Sequence, residues 1–323
     1  MNVMNEINGK ILVTGGAGFI GSHLVPQLLE KGYSVTVLDN LSTGKLENLN
    51  GVLDHPKFMF HRGDILDKTV PNEVFDGFDS IIHLAALIDI SASVADPRQN
   101  HKVNVDGTFN MLHAAFKHNV KKFIFASSTA VYGDAKTLPV QENSALHPIS
   151  PYAASKVAGE AYCSAFASCF GLETIALRFF NIYGLRSENS PYSGVITKFL
   201  RKIINGEVLT IDGDGEQTRD FIHVSDIVKA VILALEHDGL KGEVFNVCTG
   251  VPTSINQLAA ILKTVTGKNL CVKYGPARLG DIRSNYGDPA KAAKNLDFRA
   301  SVDLTKGLQM LFEEFKKTKI CAS

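Results

Sequence analysis

Residues 14–21 read Thr14-Gly15-Gly16-Ala17-Gly18-Phe19-Ile20-Gly21 and follow directly on the apolar run Ile11-Leu12-Val13. Glycines spaced by three after a strand allow a tight turn into a helix, whose start offers unpaired N–H groups to an anion. Outward from this turn, short runs rich in Val, Ile, Leu and Phe at 10–14, 34–38, 57–61, 80–84, 121–127 and 173–179 read as strands. Those near 80 and 122 are continuous apolar runs, the texture of strands buried on both faces. Amphipathic stretches between and beyond them predict helices over 19–31, 96–118, 151–170, 195–205, 225–237, 255–266 and 303–317. Strand and helix in alternation predict an α/β fold with a doubly wound parallel sheet and right-handed crossovers. After about residue 180 the texture turns to Gly, Pro and polar turns. A first domain over 1–180, to which 222–248 returns, is therefore expected, with a smaller α/β C-terminal lobe from 181–221 and 249–323.

Composition narrows the function. The chain has 323 residues, 45% hydrophobic, with 33 basic against 33 acidic side chains. Disorder and coiled coil are excluded, and the balanced charge lacks the basic clustering by which nucleic acid or anionic membrane is recruited. No apolar stretch reaches membrane-spanning length and the start, residues 1–10, is polar, so a cytoplasmic protein is expected. The five cysteines are odd in number, scattered and without a C-x-x-C pair. That argues against a disulfide framework or a metal site, and buried free thiols are expected.

The ligand expected at the glycine turn is a dinucleotide. Eighteen residues after Gly21, at the end of the second strand, Asp39 stands where a carboxylate binds ribose hydroxyls and repels a 2′-phosphate, so a Rossmann-type domain taking NAD is expected. Gly15, Gly18, Phe19, Ile20 and Gly21 would carry the pyrophosphate. Further on, Pro151 opens a helix on which Tyr152 and Lys156 share a face. A nearby ammonium and a cationic nicotinamide ring favour phenolate, making Tyr152 a proton acceptor for a sugar or alcohol hydroxyl. Ser127-Ser128-Thr129 ends the preceding strand at the carboxyl edge of the sheet, where open α/β folds bind ligands. Those hydroxyls serve a substrate, the backbone of the turn, or both.

With these residues in hand, the chain resembles the extended short-chain dehydrogenase/reductase family of nucleotide-sugar enzymes, most closely its UDP-hexose 4-epimerases. The motifs are 14–21, Asp39-Asn40-Leu41-Ser42-Thr43-Gly44, Gly63-Asp64-Ile65, His83-Leu84-Ala85-Ala86, Asn104-Val105-Asp106-Gly107-Thr108, 127–133, Tyr152 with Lys156, Arg178-Phe179-Phe180-Asn181-Ile182-Tyr183-Gly184 and 215–221. The resemblance implies that Asp64 and Ile65 flank the adenine and that Leu84, Ala85 and Ala86 line the pyrophosphate and nicotinamide ribose. Phe180 would pack near the nicotinamide, and Asn40, Ser42, Thr43, Gly44, Asn104 and Ser127 would join the cofactor contacts. Ser128 takes the catalytic Ser/Thr position and Tyr152 that of the general base. Lys156 would hold the ribose and depress the tyrosine pKa. Arg219, Arg278 and Asp281 would grip the nucleotide diphosphate and its ribose, as a neutral protein needs local guanidinium forks for a diphosphate. Asn181 and Val195 complete the implied substrate contacts.

Family members that dehydrate the sugar carry an Asp-Glu pair after the catalytic Ser/Thr, where this chain has Thr129-Ala130. The resemblance therefore implies a 4-epimerase acting through a 4-keto sugar. At the gatekeeper position beside the sugar's 2-substituent stands Asn285, with Tyr286 next. A small residue there implies that UDP-GlcNAc/UDP-GalNAc is accepted along with UDP-glucose/UDP-galactose. Asp89, in the loop after 83–86, departs from the family. The alternatives are another nucleotide-sugar oxidoreductase, a UDP-glucuronate 4-epimerase, or a non-enzymatic sensor on the same fold. The resemblance implies a homodimer through helices 96–118 and 151–170, with Ala115, Phe116, Ala158, Tyr162 and Phe166 as an apolar stripe that serves either that interface or the chain's own core.

Overall fold

The computed structural model describes residues 9–67, 77–187, 194–277 and 282–320. Its strands are β1 Lys10–Thr14, β2 Ser34–Asp39, β3 Phe58–Arg62, β4 Ser80–His83, β5 Lys122–Ser128, β6 Glu173–Phe179, β7 Asn181–Tyr183, β8 Leu209–Asp212, β9 Thr218–His223, β10 Glu243–Val247, β11 Pro252–Ser254, β12 Val272–Gly275 and β13 Ser284–Asn285. Seven of them form one sheet in the order β10-β6-β5-β4-β1-β2-β3, with parallel ladders from β3 through to β5. The chain runs outward in one direction from β1 through β3 and in the other from β4 onward. The reversal falls between β1 and β4, so the carboxyl ends of those two strands open the crevice where such sheets take ligands.

The chain divides into two compact units. The first comprises the segments up to Val131, Pro148–Arg178 and Val228–Phe245. Its core packs Leu12, Ile81, Phe123 and Phe125 against Met111, Leu112 and Phe166 of the flanking helices. The central residues of β1, β4 and β5 are apolar and enclosed on both sides, as their sequences require. The second unit comprises Tyr132–His147, Phe179–Ile227 and the chain from Asn246 onward. There β9 is flanked by β11 and β13, β7 also pairs with β9, and β8 pairs with β12. The helices Val195–Asn205, Ile255–Thr266 and Leu304–Ile320 enclose a core of Leu200, Ile211, Phe221, Leu258 and Leu308. Asp220, buried in β9, accepts from Thr249 N and Oγ1 and from Gly250 N, fixing the strand that carries Arg219.

The helix Pro151–Phe170 has the bounds read from the sequence, with Ser150 as N-cap and Gly171 in the left-handed C-cap. The single helix expected over 96–118 is three pieces: Pro97–His101, a π-turn Lys102–Asp106 and Gly107–Lys117. Helix Ile90–Ala95, absent from the sequence reading, is capped by Asp89, whose carboxylate accepts from Ala92 N. The departure at Asp89 is thus a helix cap. Of the cysteines, Cys163 and Cys248 are buried but Cys169 and Cys271 are exposed, correcting the expectation of buried thiols; Cys321 lies outside the described residues. In the expected dimer stripe Ala115 and Phe166 belong to the chain's own core, while Phe116 and Tyr162 are exposed. Among the described residues no helix is long and apolar enough to cross a membrane.

Candidate active site

At the end of β1 the chain turns through Gly15 at φ +70°, and a Cβ there would lie 2.7 Å from the Ala85 nitrogen at the end of β4. Gly21 allows the first turn of helix Phe19–Glu30 to lie against Gly16, whose Cα a Cβ would meet at 2.5 Å. That helix has Gly18 as N-cap, no side-chain cap and no acidic residue in its first turn. The donors of the first turn are therefore left to an external acceptor, a cradle of the shape and charge a pyrophosphate fits. Asp39 closes the other end. Its buried carboxylate accepts from Ala17 N at 3.0 Å and Leu41 N at 2.8 Å, each oxygen keeping lone pairs for ribose hydroxyls. Leu41 adopts φ +60° to donate this bond. Asn40 donates to Asp64 at 2.9 Å and receives Ser42 N, so the motif's polar residues form one rim. Gly44 lies against Ala17. Thr43 is exposed. The residues present fit a dinucleotide.

Leu84, Ala85 and Ala86 are half-buried beside the glycine turn. Beneath them sits His83, fully enclosed, with Nδ1 2.7 Å from Thr14 Oγ1 and Nε2 3.0 Å from Thr108 Oγ1. Thr108 donates its own proton to the Asn104 carbonyl, so Nε2 must be the protonated nitrogen and Nδ1 accepts from Thr14. Burial, and secondarily the Lys156 charge, hold His83 neutral, its pKa lowered to about 3. A histidine neutral when folded and able to protonate when unfolded near 6.5 stabilises the fold fully above that value. This contribution is lost as pH falls from 6.5 towards 3. We expect the wild type to lose roughly 3 kcal/mol more unfolding free energy between pH 7 and pH 4 than His83→Gln does, measured by urea titration. Equal losses would overturn this account.

Two expected cofactor contacts are drawn elsewhere. Asn104, on the π-turn, binds Leu87 N and O at 2.8 Å each and Ser155 Oγ at 3.1 Å, so its amide fixes the 84–87 loop. Ser127 turns its hydroxyl inward to Glu160 at 2.5 Å. Ile65 buries its side chain against Gly107.

The structure brings Ser128, Tyr152 and Lys156 together. Ser128 hydrogen-bonds the Tyr152 phenol, and the Tyr152 amide donates to Ser93 Oγ at 3.2 Å. Lys156, buried, donates to the Ala126 carbonyl at 2.7 Å, and its ammonium lies 4.9 Å from the Phe125 ring centre and 5.9 Å from that of Tyr152. Burial raises the Tyr152 pKa, and the Ser128 bond opposes this. Burial likewise lowers Lys156 to about 8, against the pull of Glu160 and Cys163. Sequence reasoning missed Glu160 and Arg178, which form a buried two-pronged ion pair with bonds of 2.8 and 2.7 Å. Glu160 stands four residues after Lys156, on the Tyr152 face.

In the second unit Arg219 directs Nη1 to the carbonyls of Thr218 and Ile282, both at 2.8 Å. Asn285 is buried opposite Arg219 in parallel register, whereas Tyr286 lies beyond the paired strand. Phe180 is buried against Gly287, and Asn181 is half-buried in β7. Val195 is half-buried against the second unit's core. Arg278 and Asp281 lie outside the described residues.

Comparison with known proteins agrees with this architecture. Residues 11–248 match the NAD dependent epimerase/dehydratase family. A putative UDP-glucose 4-epimerase of Methanocaldococcus jannaschii is 40% identical over 308 residues, 95% of this chain and 98% of that protein. A UDP-N-acetylglucosamine 4-epimerase from Methanobrevibacter ruminantium, solved in complex with UDP-N-acetylmuramic acid, superposes with TM-score 0.91 at 40% identity, covering 96% of this chain and 99% of that one. The UDP-glucose 4-epimerase of Thermotoga maritima, solved with UDP-glucose, gives 0.89 at 41%, with 96% and 99% covered.

Proposed function

The chain belongs to the NAD dependent epimerase/dehydratase family, and from that premise we propose that it is a UDP-sugar 4-epimerase. NAD is its cofactor, and when bound it takes up the hydride of the sugar's C4 and returns it. The glycine turn and the uncapped helix start would hold the pyrophosphate, and Asp39 the adenosine ribose. Tyr152 would accept the proton of the 4-hydroxyl, with Ser128 orienting that hydroxyl and Lys156 holding the nicotinamide ribose. After the 4-keto sugar turns over, the same phenol gives the proton back. The carrying observation is the Ser128–Tyr152–Lys156 cluster at the end of β5, followed by Thr129-Ala130 in place of any second acid and base. Neither can serve dehydration across C5–C6.

Arg219, its guanidinium steadied by two carbonyls, suits a diphosphate. Asn285, buried beside it in β13, would leave room at the sugar's 2-position for N-acetylhexosamines as well as hexoses. Incubating the protein with UDP-GlcNAc, UDP-glucose and UDP-glucuronic acid separately, without added NAD, and resolving anomeric protons by NMR tests this. Galacto products from the first two establish the activity; a 4-keto dead end or no product overturns it. Asn285→Tyr is expected to lower kcat/KM for UDP-GlcNAc by about 10²-fold, as a lost pocket clashes with one acetamido group, while UDP-glucose changes little. Equal losses for both sugars would remove Asn285 from the specificity account.

A homodimer fits the exposed aromatics of helices Gly107–Lys117 and Pro151–Phe170. Phe109 and Tyr162, and Phe116 and Phe170, make ring contacts with centres 5.3 and 4.6 Å apart while remaining solvent-facing.

A further inference from the structure

Three consecutive residues at the end of β5 each hold one side chain from a single stripe of helix Pro151–Phe170. Ser128 holds the Tyr152 phenol, the Ala126 carbonyl holds the Lys156 ammonium at 2.7 Å, and Ser127 holds the Glu160 carboxylate at 2.5 Å. The three helix residues are spaced by four, so they stack along one face. The proposed chemistry uses the first two and leaves Glu160 unexplained. A buried carboxylate is costly unless paired, and this one is paired fully: Arg178 supplies Nε and Nη2 in a two-pronged fork from β6.

The groups facing Lys156 can be enumerated by element. On its own helix are Tyr152, Glu160 and Cys163. From β5 come the Ala126 carbonyl and the Phe125 ring, and from β4 the neutral His83, stacked on that same ring at 6.1 Å. From β6 comes Arg178, engaged by Glu160. Glu160 is the only carboxylate in this set, and Arg178 grips it from β6 through Nε and Nη2.

We propose that Glu160, clamped by Arg178 and Ser127 one helical turn beyond Lys156, is a positioning residue whose carboxylate favours the charged Lys156 ammonium across that turn and thereby sets the pH range over which the Tyr152/Lys156 pair exchanges its proton. The inference deepens the epimerase reading and rests on it for the role of Tyr152. Tyr152 and Lys156 interact, so their protons leave in macroscopic steps that belong to the pair. A nearby negative charge makes each step harder. Glu160→Gln removes that charge while keeping shape, so both limbs of the kcat–pH profile move to lower pH, by about one unit.

The test uses the holoenzyme. The kcat–pH profile of wild type and Glu160→Gln is measured together with phenolate ultraviolet absorbance against pH, each protein referenced to itself carrying Tyr152→Phe. The chain has no tryptophan, which leaves the tyrosine signal clear. An acid shift of both limbs and of the phenolate titration supports the proposal. A folded Glu160→Gln protein with both unmoved overturns it, whatever its Tm, because a purely structural ion pair changes stability and not the titration. If Arg178 left unpaired prevents folding, Glu160→Gln/Arg178→Met removes both charges and replaces the single variant; an acid shift, smaller because the opposing Arg178 charge is lost as well, supports the proposal and its absence overturns it. Should the wild type convert no UDP-sugar while the phenolate titration still shifts, the epimerase reading falls and the positioning role stands.

Discussion

Tyr152→Phe is expected to lower kcat for UDP-sugar epimerisation by about 10²–10⁴-fold with little change in KM, the range a positioned acid–base group supplies. The phenol is buried, bonded to Ser128, and one turn from an ammonium that donates to the Ala126 carbonyl. Burial alone raises its pKa, so the residue as folded is a phenol, and one ammonium does not make it a base at neutral pH. Bound NAD would supply the missing stabilisation through the positive charge of its nicotinamide ring. This gives the prediction its second part. Tyr152→Phe should retain NAD, because the phosphate cradle and Asp39 lie on other elements. Cofactor content measured after purification checks it. Loss of turnover with retained NAD places Tyr152 in the chemistry; turnover within threefold of wild type would remove it as the base.

Much of this arrangement is legible in one dimension, for physical reasons. Strands β1, β4 and β5 are apolar through their middles because both faces are covered, and the glycine turn announces itself because the left-handed backbone at Gly15 favours glycine. The helix Pro151–Phe170 carries its own cap, first-turn proline and terminal glycine, so its bounds follow locally. What did not show is the set of contacts made between distant segments. Ser127 and Glu160 are 33 residues apart, and Glu160 and Arg178 are 18 apart. Nothing local says that a serine beside the proposed catalytic serine turns inward. One signal was present: Tyr152, Lys156 and Glu160 form a polar stripe at helical spacing, and its third member could have been read with the first two. The short strands of the second unit, some of two or three residues, are defined by partners remote in sequence, as β13 is by β9. The π-turn at Lys102–Asp106 likewise follows from Asn104 gripping Leu87, which no periodicity reveals.

Gly15→Ala is expected to yield protein that purifies without stoichiometric NAD and binds it at least about tenfold more weakly. Two costs act together. At φ +70° an L side chain is strained by about 1–2 kcal/mol. The added methyl would also stand 2.7 Å from the Ala85 nitrogen, a backbone atom that cannot rotate away. Relief requires the end of β1 to part from the end of β4. Those ends are joined by Leu84 N to the Thr14 carbonyl at 3.1 Å and by Ala85 N to Thr14 Oγ1 at 3.3 Å. Separating them disturbs the His83–Thr14 bond below and turns the first helical N–H groups away from a common focus above. The strain is therefore released into the cofactor cradle whether or not the fold survives intact. Gly51→Ala is the matched control, since a Cβ there meets nothing within 4 Å and the backbone is not left-handed. Calorimetric titration of NAD into both apo proteins decides the matter. Weak binding confined to Gly15→Ala assigns the turn to the pyrophosphate, whereas wild-type affinity in that variant would mean that the glycine serves the chain's own turn and no ligand.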